Sequence, residues 1–169
     1  VFDVRALQSL FSLFLPFHFD GESLRKRLSR YRKGSAALPS PISVYDDPLL
    51  EEGEHSAAFD DEGFRSQRKP LVSHGRVANF LFDMTAAVRG HAKPGNGGRA
   101  SYDSPPSPSF SNLVIEGGSL SDAVSECRNG VYIGSFLTSG SNVVTGDFAF
   151  PLMAAFRIRN GELAEGIKG

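Results

Sequence analysis

The sequence predicts a mixed α+β domain built mainly on antiparallel sheet. Three observations point there. Short runs rich in Val, Ile, Leu and aromatic residues recur between turn-forming residues, and two stretches space apolar residues by three and four. Asn160 and Gly161 join two of the apolar runs, and this pair suits a type I′ hairpin turn because both central residues need positive φ. With eighteen Gly and ten Pro in 169 residues, turns and long loops are expected rather than a helical bundle. The length suits one domain over residues 1–169 better than two.

Taken in order, Asp3 is placed to cap a helix in which Val4, Leu7, Leu10, Phe11, Phe14 and Leu15 share a face, with Pro16 breaking the pattern. Ser23 to Lys33 then carries six basic residues and only Leu24, Leu28 and Tyr31 for burial, so it reads as an exposed helix or a mobile strap. Ile42 to Tyr45 is a short strand, and Asp46, Asp47 and Pro48 open an acidic loop lasting to Gly63. Lys69 to Val72 and Arg76 to Phe82 flank Ser73-His74-Gly75 as a hairpin, followed by a short helix from Asp83 to Arg89.

From Gly90 to Pro108 the chain turns to Gly, Pro, Ser and Asn, a gap long enough to be either a functional or a disordered loop. Asn112 to Glu116 resumes as strand. Ser119 or Ser121 caps a helix with Leu120, Ala123, Val124 and Cys127 on one face, ended by Asn129 and Gly130. Val131–Leu137, Val143–Phe150, Ala154–Arg159 and Glu162–Ile167 complete a strand-rich end.

A hydrophobic share of 40% and a charged share of 22% are those of an ordinary globular protein. Net charge is −1, which argues against nucleic acid or acidic lipid as a general partner. The charge is unevenly laid out. Asp3 to Lys33 holds seven Lys/Arg against three acids, while Asp46 to Glu62 holds eight acids and no Lys or Arg, so the two segments are candidates to face each other. One cysteine, Cys127, allows no intrachain disulfide and no cysteine-based zinc cluster, and suits a reducing cytoplasm. Leu10 to Phe19, the most apolar stretch, is interrupted by Ser12, Pro16 and His18 and is no membrane span. The start at Val1, with no basic leader and cleavage site, reads as a piece of a longer chain rather than a secreted precursor.

Residue chemistry alone points to no enzyme class. Zinc hydrolysis on a helix needs two His a turn apart with a Glu base, and His18, His55, His74 and His91 are scattered. No G-x-S-x-G elbow is present, and Gly95-Asn96-Gly97-Gly98 lacks the Lys-Ser/Thr of a phosphate loop, so a flexible loop is the expectation there. Cys127 is expected to be a small buried hydrophobe. The carboxylates Asp46/Asp47 and Asp60/Asp61/Glu62 are expected in solvent, and the basic run Arg25, Lys26, Arg27, Arg30, Arg32 and Lys33 on a solvated or acid-paired face.

One set of blocks changes this reading. Asp46-Asp47-Pro48, Phe59-Asp60-Asp61-Glu62-Gly63, the run from Arg68 to Val77, Phe80-Leu81-Phe82-Asp83 and Gly95-Asn96-Gly97 follow one another in order. Ser111 to Gly118, Asn129 to Gly134, Asn142 to Phe148 and Ile158 to Glu162 continue the series. From about Asp46 to Gly169 the chain resembles the TldD/PmbA family, also labelled modulators of DNA gyrase. The resemblance implies part of a C-terminal domain, with the family's N-terminal half and distal C-terminal part absent. In that family one subunit type carries a His-Glu-x-x-x-His zinc helix, and its companion type does not.

With Asp20-Gly21-Glu22 laid on the acidic-Gly segment after that motif, the His, Glu and His places fall on Ser12, Leu13 and Phe17. Apolar side chains cannot ligate zinc, and Leu13 and Phe17 are expected to have become core packing. The resemblance therefore implies the PmbA/TldE-like branch: no cofactor in this chain, zinc in a TldD-like partner subunit, flexible peptides as substrate and a homo- or hetero-oligomer in the cytoplasm. Asn96, Gly97, Asn142, Thr145, Gly146 and Asp147 are its candidate peptide-binding or cleft residues. The rival expectations are a metallopeptidase in its own right and a non-proteolytic module that binds DNA gyrase or DNA.

Overall fold

The computed structural model describes residues 1–117 and 120–167, and of residues 120–122 the backbone alone. Its elements are α1 (Val4–Phe19), α2 (Gly21–Arg25), β1 (Ser43–Asp46), β2 (Lys69–Ser73), β3 (Arg76–Val77), α3 (Met84–Gly90), β4 (Gly97–Gly98), β5 (Ser107–Pro108), β6 (Leu113–Glu116), α4 (Leu120–Ser125), β7 (Asn129–Phe136), β8 (Ser141–Asn142), β9 (Asp147–Phe148), β10 (Leu152–Arg159) and β11 (Glu162–Gly166). The α+β class with antiparallel sheets is borne out. No helix among the described residues is long and apolar enough to cross a membrane. The chain divides into two compact units, one of Val1–Leu15 with Gly118–Gly169 and one of Pro16–Gly117.

In the first unit a three-stranded sheet runs β11-β10-β7. Its tightest turn is the one the sequence announces: Arg159 faces Glu162 across Asn160 at φ 51° and Gly161 at φ 82°. A Cβ on Gly161 would sit 2.7 Å from the Ser125 carbonyl oxygen, so both sterics and backbone angle demand glycine. Along β7, Ile133 exchanges backbone bonds with Val1 and Asp3, at 2.8 and 2.9 Å. Asp3 starts α1 as expected, accepting the Arg5 amide at 2.9 Å through one oxygen and the Tyr132 hydroxyl at 2.7 Å through the other. Ala6, Phe11, Leu15, Phe136, Ala155 and Ile158 are the buried apolar side chains of this unit.

Three expectations fail in this unit. Val143–Phe150 is not one strand but the hairpin β8–β9. Asn142 accepts the amides of Val144 and Thr145, and Gly146 adopts φ 80°, so a local side-chain turn overrides the β preference of Val-Val-Thr. Asn129 and Gly130 open β7 rather than stopping α4. Cys127 is half-buried, not fully buried. Ser119 lies outside the described residues, as do the side chains of Leu120 and Ser121.

In the second unit a four-stranded antiparallel sheet runs β3-β2-β1-β6. The β2–β3 turn is shorter than the tripeptide expected: Ser73 pairs with Arg76, leaving His74 at φ 47° and Gly75 at φ 75° as the two turn residues. Strand beyond Val77 gives way to a loop in which Phe80 and Leu81 are buried. With Phe19, Val44, Leu71, Val72, Val77, Ala86 and Ala87 they make this unit's core. Asp83 caps α3 by accepting the Ala86 amide at 2.7 Å.

Pro16 does not end α1, which continues to Phe19. The helix forgoes one amide there, a loss offset by burial of His18 and Phe19 in the turn that follows. Phe11, Leu15 and Phe19 are the buried positions at four-residue spacing, whereas Leu13 and Phe17 are only half-buried and Ser12 is exposed. The expectation that Leu13 and Phe17 became core is thus corrected.

Candidate functional site

A cleft of about 520 Å³ opens in the second unit between the acidic loop and the Gly-rich loop. Its lining includes Asp46, Phe59, Asp60, Asn96, Gly97 and Ser111. Strand β1 carries Asp46 into the interior, where it has 0% exposure. One carboxylate oxygen accepts both the amide and the hydroxyl of Ser111 at 2.7 Å each, and the other accepts the Asn96 side-chain amide at 2.8 Å. The Asn96 side-chain oxygen in turn accepts the Lys69 ammonium. Lys69 stands across from Asp46 in the β1–β2 register, so the sheet itself fixes the two charges.

Burial pushes the Asp46 carboxyl above its ordinary value, opposed by the Ser111 donors and the Lys69 charge. Burial likewise pushes the Lys69 ammonium below its ordinary value, opposed by Asp46 and Asp60. The expectation that Asp46 is solvated is therefore wrong. Its loop neighbours are not simply solvated either. Asp60 accepts the amides of Glu62, Phe64 and Gly97 at 3.0, 2.8 and 2.9 Å, Asp61 accepts that of Arg99 at 2.8 Å, and Glu62 that of Met84 at 2.6 Å. Carboxylates in this segment act as acceptors for backbone amides that no strand or helix satisfies.

The Gly90–Pro108 stretch is ordered by those bonds and by the β4–β5 pair, Gly97 facing Pro108 and Gly98 facing Ser107. Asn96 and Gly97 therefore lie at the cleft, with their polar groups engaged in holding it. Asn142, Thr145, Gly146 and Asp147 lie in the first unit, where they build the β8–β9 turn. The Thr145 hydroxyl donates to Asp147 at 2.7 Å, and the Gly146 amide donates to the Asn142 carbonyl at 2.8 Å.

His18 is buried, His55 lines the cleft, His74 occupies a turn and His91 ends α3 in a left-handed conformation. Among the described residues no group of three or more His, Cys, Asp or Glu could hold a metal ion. At the helix positions matched to a zinc motif, Ser12 presents a single hydroxyl to solvent and Leu13 and Phe17 present hydrocarbon. That donor set does not fit zinc. Sequence reasoning missed Asp46, Lys69 and Ser111 as a polar cluster around a buried carboxylate; the one available signal was the placement of Asp46 directly after a strand.

Comparison with known proteins places the chain in context. A family model described as the PmbA/TldA metallopeptidase C-terminal domain matches residues 1–169. A Buchnera aphidicola protein named as a metalloprotease TldD homolog is 27% identical over 154 residues, covering 88% of this chain and 32% of that one. The crystal structure of TldE from Thermococcus kodakarensis superposes with TM-score 0.86 at 29% identity, over 98% of this chain and 39% of that one. The crystal structure of a Thermotoga maritima protein described as a putative modulator of a DNA gyrase gives TM-score 0.83 at 26% identity, again over 98% and 39%. The chain thus spans well under half the length of these relatives.

Proposed function

The chain belongs to the PmbA/TldA metallopeptidase C-terminal domain family, and from that premise we propose that it serves as the metal-free companion in a two-protein peptidase acting on flexible peptides. Zinc, in this reading, is supplied by a TldD-like partner subunit. The observation that carries the reading is the donor set on α1: an exposed serine, Ser12, and two apolar residues, Leu13 and Phe17, stand where the motif has its ligands and base. No histidine besides His18 lies on this helix, and the His18 ring is packed between Phe17 and Tyr31. The likeness to TldE over 98% of this chain supports the same assignment.

What this chain's own residues do is hold shape. The Asp46–Asn96–Lys69 cluster and the carboxylate-to-amide bonds brace a cleft whose rim carries exposed Phe59, giving an apolar and polar wall against which an extended peptide can lie. The test is co-purification with a zinc-carrying TldD-like protein, with metal content measured on each chain separately. The expected result is zinc and chelator-sensitive peptidase activity only when the partner is present. One equivalent of zinc bound by this chain alone, with peptidase activity lost on chelation, would overturn the proposal.

A further inference from the structure

Residues 25–33 of the second unit have no part in that reading. They hold six basic side chains, Arg25, Lys26, Arg27, Arg30, Arg32 and Lys33, all on exposed residues. The backbone beneath them is pinned. Buried Ser29 donates to the His18 carbonyl at 2.6 Å, the Tyr31 ring packs on His18 and Phe19, and the Gly34 amide donates to the Val77 carbonyl at 2.7 Å. Further cations flank both ends. Arg89 of α3 reaches to 4.0 Å of Glu22, which also meets Arg25 and Lys26, and Arg76 of β3 donates to the Gly34 carbonyl at 3.0 Å. Positive charge therefore runs as a fixed stripe from the α2–α3 end to the β2–β3 hairpin.

Little of it is neutralised. Glu22 alone serves Arg25, Lys26 and Arg89, and Arg32 is spent on the carbonyls of Ser29 and Tyr31. Among the described residues Arg27, Arg30 and Lys33 have no carboxylate within 4.0 Å, as the ion pairs formed all lie elsewhere. Of the acidic segment that composition suggested as their counterpart, Asp60, Asp61 and Glu62 accept the amides of Gly97, Arg99 and Met84, and Asp47 is paired to Arg68 at 3.2 Å.

We infer that this stripe is a docking surface for an acidic, unfolded peptide segment, which rests on the peptide-handling reading and narrows its substrate class. Four of the six cations are Arg, whose planar forks match carboxylates. They are strung along a chain rather than gathered into a pocket, so a compact anion meets few of them and an extended polyanion meets many. No exposed aromatic ring interleaves them, since Tyr31 is packed inward, and five-residue α2 is no groove-reading helix; a nucleic acid finds neither a stacking platform nor a base-reading element. A second copy of this chain offers Glu51, Glu52 and Glu54, but in a tight turn closed by Gly53-to-Leu50 and Ser56-to-Gly53 bonds, too compact to follow the stripe.

The experiment measures binding of fluorescent poly-glutamate, a neutral Gly/Ser peptide of equal length and an oligothymidylate to the 169-residue chain and to Arg27→Glu/Arg30→Glu/Lys33→Glu. Among the described residues these three side chains have no ion-pair partner, so the thermal midpoint should hold; Arg27→Gln/Lys33→Gln serves if it does not. Expected is salt-weakened binding of poly-glutamate that drops about tenfold in the triple variant. Equal binding of the neutral peptide, untouched by the variant, overturns the inference and leaves peptide handling standing. Tighter binding of oligothymidylate than of poly-glutamate, or self-association lost in the variant, also overturns it by assigning the stripe to another occupant. Failure of both peptides to bind, with and without the zinc-carrying partner, counts against peptide handling as well.

Discussion

Asp46, a carboxylate with no access to water, accepts three hydrogen bonds and faces the half-buried Lys69 ammonium across Asn96. Removing it strands the Ser111 amide and hydroxyl and the Asn96 amide and takes from Lys69 one of its two facing charges, so Asp46→Ala is expected to cost about 3 kcal/mol in urea unfolding. Glu22 is the opposite kind of residue, a surface carboxylate held down to about 2, first by its bond to Arg25 and then by Lys26. Its folded form releases a proton more readily than the unfolded chain does. Its stabilising contribution is complete above the ordinary value of 4.5 and is lost as pH falls toward about 2. Glu22→Gln should flatten the loss of stability across that window, seen as a smaller shift of the urea midpoint. The two roles differ in how far they reach along the chain: Asn96 and Ser111 lie 50 and 65 positions from Asp46, whereas Glu22 and Arg25 are only three apart. The nearby pair was within reach of pattern reasoning; the distant one required the sheet.

Elements were legible where their signal was local. The Asn160–Gly161 turn needs only two residues to specify it, and it forms as expected. Gly161→Ala should cost about 1–2 kcal/mol, because the new methyl meets both a left-handed backbone and the Ser125 carbonyl, and calorimetry of the variant would read it as a lowered midpoint. Asp3 and Asp83 were legible as helix starts for the same reason, each bonding an amide two or three residues on. The errors came where two local rules competed. Val143-Val144-Thr145 favours strand, but Asn142 and Gly146 impose a turn; Pro16 disfavours helix, but burial of His18 and Phe19 carries α1 past it. Propensity lost to side-chain capture in the first case and to packing in the second.

At the scale of the molecule, the assembly of Val1–Leu15 with Gly118–Gly169 into one unit joins chain ends that no periodicity connects. Antiparallel class was visible from turn spacing; which strands neighbour which was not, since β1 pairs β6 across the whole acidic and Gly-rich stretch. Charge layout, in contrast, was plain in the sequence and survives folding, because no ion pair among the described residues joins the basic stripe to the acidic loops. A chain of net charge −1 and isoelectric point near 6.5 should therefore be retained by a cation-exchange resin at neutral pH and low salt, and Arg27→Glu/Arg30→Glu/Lys33→Glu should flow through. Early elution of the unaltered chain would show that the stripe is compensated. The acidic loops carry a different consequence. The amides of Glu62, Phe64, Gly97, Arg99 and Ser111 end on side-chain carboxylates instead of the carbonyls of a regular ladder. In deuterated water these five should hold their protons well beyond the rate of open coil, so that a slow-exchanging contour traces the cleft wall through segments that have almost no helix or strand.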